Sequence, residues 1–182
     1  MHCTCWRFVE IEQSARMSEE NPKPRTVYQG FGARLYHDIP AWVREDAVYH
    51  IRVRCAPGSP DLTQPQIAGM LLESAKLYHE RLRWWVHLFL LMPDHWHALL
   101  SFGPSREMSK TIGDWKGYHA RHSGIVWQEN FFDHRLRNHL DEFDAKYAYV
   151  RDNPVVTGMC VRAEDWPWQW SPSETFPDTH PE

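Results

Sequence analysis

The chain lacks a cysteine framework: its four cysteines, at positions 3, 5, 55 and 160, do not show the spacing of a disulfide scaffold. It also lacks a signal-peptide-like start and any apolar run long enough to span a bilayer. These absences predict a reduced, soluble, cytoplasmic protein with no membrane attachment. A basic excess is missing too, since 20 Lys and Arg stand against 24 Asp and Glu for a formal net charge of −4, and this removes the simplest argument for a nucleic-acid partner. The distribution matters more than the sum. Residues 1–72 carry 8 basic and 8 acidic side chains, residues 73–138 carry 9 and 7, and residues 139–182 carry 3 and 9, so the acidity belongs to the C-terminal quarter.

What the chain has is length for one domain, 182 residues, with a real core and short extensions. Residues 1–26 contain the polar, proline-broken run Ser18 to Arg25 and are expected to form a disordered extension. Met17 is a second possible start, and the Cys3-x-Cys5 pair beside His2 reads at most as an adventitious metal binder. The expected folded domain is 27–172, followed by a tail over 173–182.

Within that domain, residues 47–55 alternate strictly. Tyr49, Ile51, Val53 and Cys55 share one face, and Val48, His50, Arg52 and Arg54 share the other, which predicts a strand with a polar, basic open face. After the loop at 56–60, Thr63 and Gln66 have capping-box spacing, and apolar residues at spacings of three and four from Ile67 predict a helix to about residue 82. The run from Trp84 to Leu91 is almost continuously apolar, as in a strand covered on both faces. Pro93-Asp94 then turns the chain into a second strand, so the two form a hairpin. A further helix is expected from Pro104-Ser105 to Gly124, with Met108, Ile112 and Trp115 buried and Lys110 and Lys116 outside. Residues 125–132 read as extended, and a last helix runs from about Asp141 to Asn153, where Pro154 stops it. The order strand, helix, hairpin, helix, strand, helix predicts an α+β fold with one antiparallel sheet and helices packed mainly on one face.

The chemistry centres on Met92-Pro93-Asp94-His95-Trp96-His97-Ala98-Leu99-Leu100. In a strand, His95 and His97 project side by side while Trp96, Ala98 and Leu100 point into the core. Imidazole is the commonest side-chain metal ligand, and two such ligands need a third plus open positions to do Lewis-acid chemistry. On the last helix Tyr149 and Asn153 are four apart and share a face. A carboxamide oxygen can be the third ligand and a phenol a nucleophile, although a hydroxyl with a pKa near ~10 needs a metal or base beside it. Such a site would polarise a phosphodiester oxygen with Tyr149 in line.

These residues resemble a family. The Met92–Leu100 stretch resembles the His-hydrophobic-His motif of single-tyrosine transposases. Trp127-Gln128, Phe132 to Arg137, Tyr149 to Val155 and Asp165 to Trp168 are similar to the branch called REP-associated tyrosine transposases, and coverage runs from about Tyr49 to Ser171. The resemblance implies a ferredoxin-like fold whose last helix carries the nucleophile. It also implies a single-stranded DNA endonuclease and rejoining activity, dependent on Mg²⁺ or Mn²⁺ and acting on hairpin-forming repetitive extragenic palindromes, in a nucleoid-associated protein needing no obligatory protein partner. By motif, His95 and His97 are metal ligands, Asn153 the third ligand (related transposases carry a glutamine there), and Tyr149 the nucleophile that forms a 5′-phosphotyrosine.

Duller readings stand beside these. Two strand histidines can be ordinary surface groups, and Asn153 can be a helix cap. Tyr147 is an alternative nucleophile, but it lies about 200° around the helix from Tyr149 and is expected in the core or at its rim. His87 is expected to be a satisfied core histidine, and His50, on the polar face of its strand, is the better candidate for lining the site. The Trp166-Pro167-Trp168-Gln169-Trp170 run reads as an aromatic flap closing the core. Candidate DNA contacts are His50, Arg52, Arg54, Lys116, Arg135 and Arg137. Two other functions remain open: a metal-dependent hydrolase using a metal-bound water, and a domesticated hairpin-binding protein that does not cleave.

Overall fold

The computed structural model describes residues 47–103, 108–137 and 141–172, all within the second of two compact units, Arg34–Glu182. The expected N-terminal extension, the helix start at Pro104-Ser105 and the tail lie outside the described residues. The elements are β1 (Val48–Arg54), α1 (Pro65–Glu80), β2 (Trp85–Met92), β3 (His95–Ser101), α2 (Met108–Ser123), β4 (Phe132–Arg135), α3 (Asp141–Arg151), the one-turn α4 (Asn153–Val156), a 3₁₀ turn (Ala163–Asp165) and β5 (Gln169–Trp170). The five strands form one antiparallel sheet in the order β4-β1-β3-β2-β5. Its first four strands have the split βαβ, ferredoxin-like order, as expected.

β3 is central because both of its neighbours need it: β1 pairs from Val48↔Ser101 to Arg54↔His95, and β2 from Trp85↔Ser101 to Met92↔His95. The Pro93-Asp94 turn between β2 and β3 is held from outside. Leu62 N–H donates to the Pro93 carbonyl at 2.9 Å and Cys55 N–H to the Asp94 carbonyl at 2.8 Å. These bonds satisfy turn carbonyls that would otherwise depend on water.

Alternation along the strands divides the interior into two cores. On one face Ile51, Val53, Phe89, Trp96, Ala98 and Leu100 pack with Ala68, Leu71 and Ala75 of α1 and with Ile112 and Trp115 of α2. Its centre is aromatic, with Phe89 stacked on Trp96 at 4.9 Å and Trp115 edge-on to Trp96 at 5.5 Å. On the other face a smaller core joins Leu88, Leu90, Met92, Leu99 and Leu136 to Val150, Phe143 and Tyr147 of α3. The apolar stripe 143, 147, 150 follows the helical repeat. The long helices are therefore on one face, and α3 covers the other.

Several local expectations change. There is no capping box: α1 starts at Pro65 with Gln64 as an N-cap that makes no side-chain bond. Thr63 is instead bound, through its N–H and hydroxyl, by Asp61 Oδ1 at 2.7 and 2.6 Å, a local turn that competes with helical capping. The polar face of β1 is not open, because His50 is buried beneath α3. Pro154 does not stop the last helix. α3 ends at Arg151 and a new turn begins at Asn153 with Pro154 as its second residue, where a missing N–H costs nothing. The tryptophan run does more than close the core. β5 adds an edge strand to β2, Trp168 and Trp170 pack on the larger core, and Trp166 Nε1–H donates to the Leu91 carbonyl at 2.9 Å. His87 sits where the β2–β3 register shifts between Val86 and Leu88, with Nε2 3.0 Å from Ser101 Oγ. It is a satisfied histidine, as expected.

α1 ends in a Schellman motif, Arg83 N–H to the Tyr78 carbonyl and Leu82 N–H to the His79 carbonyl, with Leu82 at φ 52°. A left-handed leucine costs about 1 kcal/mol, and glycine relieves it. Because Leu82 is 66% exposed, Leu82→Gly should raise the midpoint of chemical denaturation by that order of free energy. A second prediction concerns acid. His119 is fully buried on α2 against Trp115, at 4.3 Å between rings, with neither ring nitrogen bonded among the described residues. Burial first, and then the His122 charge, lowers its pKa to about 4. The native ring stays neutral while the unfolded one protonates below its ordinary value of about 6.5, so stability is full above that pH and falls below it. By pH 5 the loss from this one group should be about 2 kcal/mol. His119→Leu should flatten the pH dependence of the denaturation midpoint between pH 7 and 5, and an unchanged slope would rule this source out.

Candidate metal and nucleophile site

The parity of β3 puts His95 and His97 on the α3 face, opposite Met92 and Leu90 of β2 and opposite Arg54 and Arg52 of β1. The two Nε2 atoms converge to 3.1 Å. Behind them, His95 Nδ1 lies 2.6 Å from Asp94 Oδ1, and His97 Nδ1 lies 3.0 Å from Nε2 of His50. The His50 and His97 rings lie end to end, with centres 5.2 Å apart and planes 15° apart. Four side chains therefore form one continuous line, Asp94, His95, His97, His50, along the middle of the sheet.

The electrostatics keep the three rings neutral. Burial, reinforced by His95, His50, Arg52 and Arg54, lowers the His97 pKa to about 2. Burial, and then the charges of Lys146, Arg52 and His134, lowers that of His50 to about 4. His95 is lowered by burial against the opposing pull of Asp94. Burial works against the Asp94 carboxylate, yet the bond and charge of His95 and the Arg54 guanidinium 3.8 Å away hold it below its ordinary value. Neutral imidazole is the form that offers a lone pair to a metal.

Tyr149 stands over this line. Its ring meets His50 edge-on at 6.1 Å and His97 at 6.3 Å, and the residue is 53% exposed. Lys146 Nζ lies 5.0 Å above the same ring. Tyr147 points elsewhere and packs with Phe143 on the smaller core. α3 thus has two stripes: 143, 147 and 150 dock it, while 142, 146 and 149 face β1 and β4. Glu142 ties the second stripe down by accepting from the Arg137 N–H at 2.7 Å and facing His134 Nε2 at 3.1 Å.

The spacing of the two Nε2 atoms fits two adjacent ligands of one ion, since bonds of about 2.1 Å at right angles place their nitrogens about 3.0 Å apart. Among the described residues no group of three or more His, Cys, Asp or Glu is arranged to hold a metal. Asn153 is the first residue of α4, just beyond the break after α3, and its described bonds are made by its backbone carbonyl, to Thr157.

The expected DNA contacts separate. Arg52 and Arg54 flank the histidines, with the Arg52 guanidinium 5.5 Å over the ring of Phe132. His50 lines the site, as expected from its place on the polar face of β1, but it is buried there rather than open to DNA. Lys116 is not beside the histidine strand: α2 packs on the opposite face, and Nζ donates to the Gln128 and Glu129 carbonyls at 2.7 and 2.8 Å. Arg135 pairs with Tyr49, whose side chain belongs to the larger core, so it also faces away. Arg137 is exposed just past β4. Sequence reasoning missed His134, the cross-strand partner of His50, and Lys146, which lies three residues before Tyr149 on its helical face. The second carried a legible signal, whereas the first depended on the β1–β4 register.

Comparison with known proteins follows the same lines. The model of the IS200-like transposase family matches residues 45–148, from β1 through most of α3. A solved REP-associated tyrosine transposase bound to a REP hairpin shares the fold, with a TM-score of 0.62 and 19% identity over 77% of this chain and 82% of that one. A candidate transposase from Deinococcus radiodurans R1 aligns at 16% identity over 66% of this chain and 96% of its own, with a TM-score of 0.43. No curated protein sequence matches. No helix among the described residues is long and apolar enough to cross a membrane. With more than half its length matched by the family, including the paired histidine strand, the chain belongs to the IS200-like transposases.

Proposed function

We propose that this protein is a divalent-metal-dependent endonuclease and strand transferase that acts on single-stranded DNA hairpins of the repetitive extragenic palindrome class, through a 5′-phosphotyrosine on Tyr149. The observation that carries the reading is the position of Tyr149, half exposed and edge-on to both His97 and His50, above the convergent Nε2 pair. The choice of hairpin is supported by the REP hairpin bound to the structural relative.

His95 and His97 would hold Mg²⁺ or Mn²⁺ through Nε2, with Asn153 as third ligand. The ion would supply Lewis-acid polarisation of a phosphate oxygen and stabilise the charge that builds at phosphorus. Three protein ligands leave positions open for that phosphate. The phenol of Tyr149 would lose its proton to solvent and attack phosphorus, forming the O–P bond while the bond to the 3′ oxygen breaks, and that oxygen would take up a proton to leave as the 3′-hydroxyl. Attack by a 3′-hydroxyl on the phosphotyrosine reverses the step, so bond energy is conserved for rejoining. Holding Tyr149 on α3 over the sheet face that carries the histidines would replace an encounter in solution by an oriented contact.

Two predictions follow from this site. Incubated with a single-stranded palindrome and Mn²⁺, the wild-type protein should form a denaturant-resistant adduct that peptide mass maps to Tyr149. Tyr149→Phe should lose adduct and cleavage together while folding normally, and Tyr147→Phe should keep both. Cleavage retained by Tyr149→Phe would instead indicate a hydrolase using a water nucleophile. Arg52 and Arg54, cross-strand neighbours of His97 and His95, are proposed phosphate contacts. Replacing either with alanine should weaken binding to all hairpin sequences and lower the slope of log K against log salt by about one; filter binding across a salt series measures it.

A further inference from the structure

His50 is a buried side chain of the site for which neither the metal nor the nucleophile accounts. Its role follows from counting protons along the line of four groups. Each neutral imidazole carries one N–H and one lone pair, and an ionised carboxylate only accepts. Asp94 therefore fixes the His95 proton on Nδ1, leaving a lone pair on His95 Nε2. That lone pair faces His97 Nε2 at 3.1 Å. Without an ion, the contact is a hydrogen bond only when His97 is protonated on Nε2. His97 Nδ1 is then an acceptor, and His50 Nε2, 3.0 Å away, must be the donor.

With an ion the requirement reverses. Nε2 of His97 must present its lone pair, so its single proton sits on Nδ1 and points at His50 Nε2, which must now accept. We propose that His50 is a positioning residue that lets His97 exchange tautomers, donating to Nδ1 in the metal-free protein and accepting from it when a divalent cation is held. This inference rests on the metal reading above. The proton count is the same in both states: His95, His97 and His50 carry one each, and the protons of His97 and His50 move from Nε2 to Nδ1 through exchange with solvent. A side chain with a single hydrogen-bonding role cannot serve both states. The buried position of His50, end to end with His97 and only 15° out of its ring plane, keeps its Nε2 in that contact.

The test reads tautomers and metal affinity rather than activity. In ¹⁵N-histidine-labelled, metal-free protein, NMR should show His97 and His50 protonated on Nε2 and His95 on Nδ1. Saturation with Mg²⁺ should move the first two to Nδ1 and leave His95 unchanged. Titration with Mn²⁺, followed by the electron paramagnetic resonance of the free ion, should give binding weakened about 10–100-fold in His50→Phe. His50→Gln, whose amide both donates and accepts, should remain within a few-fold of wild type. His97 already protonated on Nδ1 in the metal-free protein, or a folded His50→Phe that binds Mn²⁺ as tightly as wild type, would overturn the proposal while leaving the metal reading intact. Wild-type protein that binds no Mn²⁺ would overturn the metal reading and this proposal with it. Should His50→Phe fail to fold, the wild-type tautomers and His50→Gln still decide the question.

Discussion

The parity of β3 is the constraint on which the site depends. A strand assigns successive side chains to opposite faces, so a slip of one residue would exchange the buried Trp96 and Ala98 for His95 and His97. The slip is blocked by what each face would have to accept. On one side Trp96 is enclosed by Phe89 and Trp115, where an imidazole would leave both a void and an unpaired polar group. On the other, the histidines meet Asp94, His50, Arg52 and Arg54, a setting in which an indole would strand those groups. The hydrophobic term thus supplies the energy that keeps two metal-ligand candidates aimed together, although neither contributes to it.

The two cores divide the work. The larger holds three tryptophans, at 84, 96 and 115, almost wholly out of water, and aromatic side chains of this kind remove roughly 150–250 Å² each from solvent. The smaller must share its face with a polar line, so it uses aliphatic side chains from β2 and β3 and only one fully buried residue of α3, Val150. A helix docked by a narrow stripe is held less tightly than one at the centre of a core. Here Glu142, bound to the Arg137 backbone and near His134, adds a polar attachment at the other end of the same helix. Between those anchors Tyr149 remains accessible, as the proposed role requires.

Neutrality of the three imidazoles has the same origin. Burial penalises each cation, and the arginines of β1 penalise it further, so the lone pairs a metal needs are present without any compensating acid apart from Asp94. Arg52 and Arg54, which add to the effect of burial on the rings, are the same side chains for which phosphate contact is proposed. On that proposal one set of charges bears on both metal binding and substrate binding.

Much of this was determined by the sequence alone. Period-two alternation over Tyr49–Cys55 and His95–Leu100 assigned every residue to its face, because in a strand the parity is local. Helical spacing placed Tyr147 in the core and Tyr149 outside it for a similar local reason. Other features were decided only by the tertiary structure. The strand order brings β1 beside β3, which turned His50 from a residue on an open face into the buried partner of His97, a contact across 47 positions. The same packing put Lys116 and Arg135 on the far face, since a charge count along the chain does not say which side of a sheet a helix covers. Pro154 shows the limit at short range: proline ends a helix or opens one according to whether the preceding turn has already closed, and the docking of α3 on the sheet settles that.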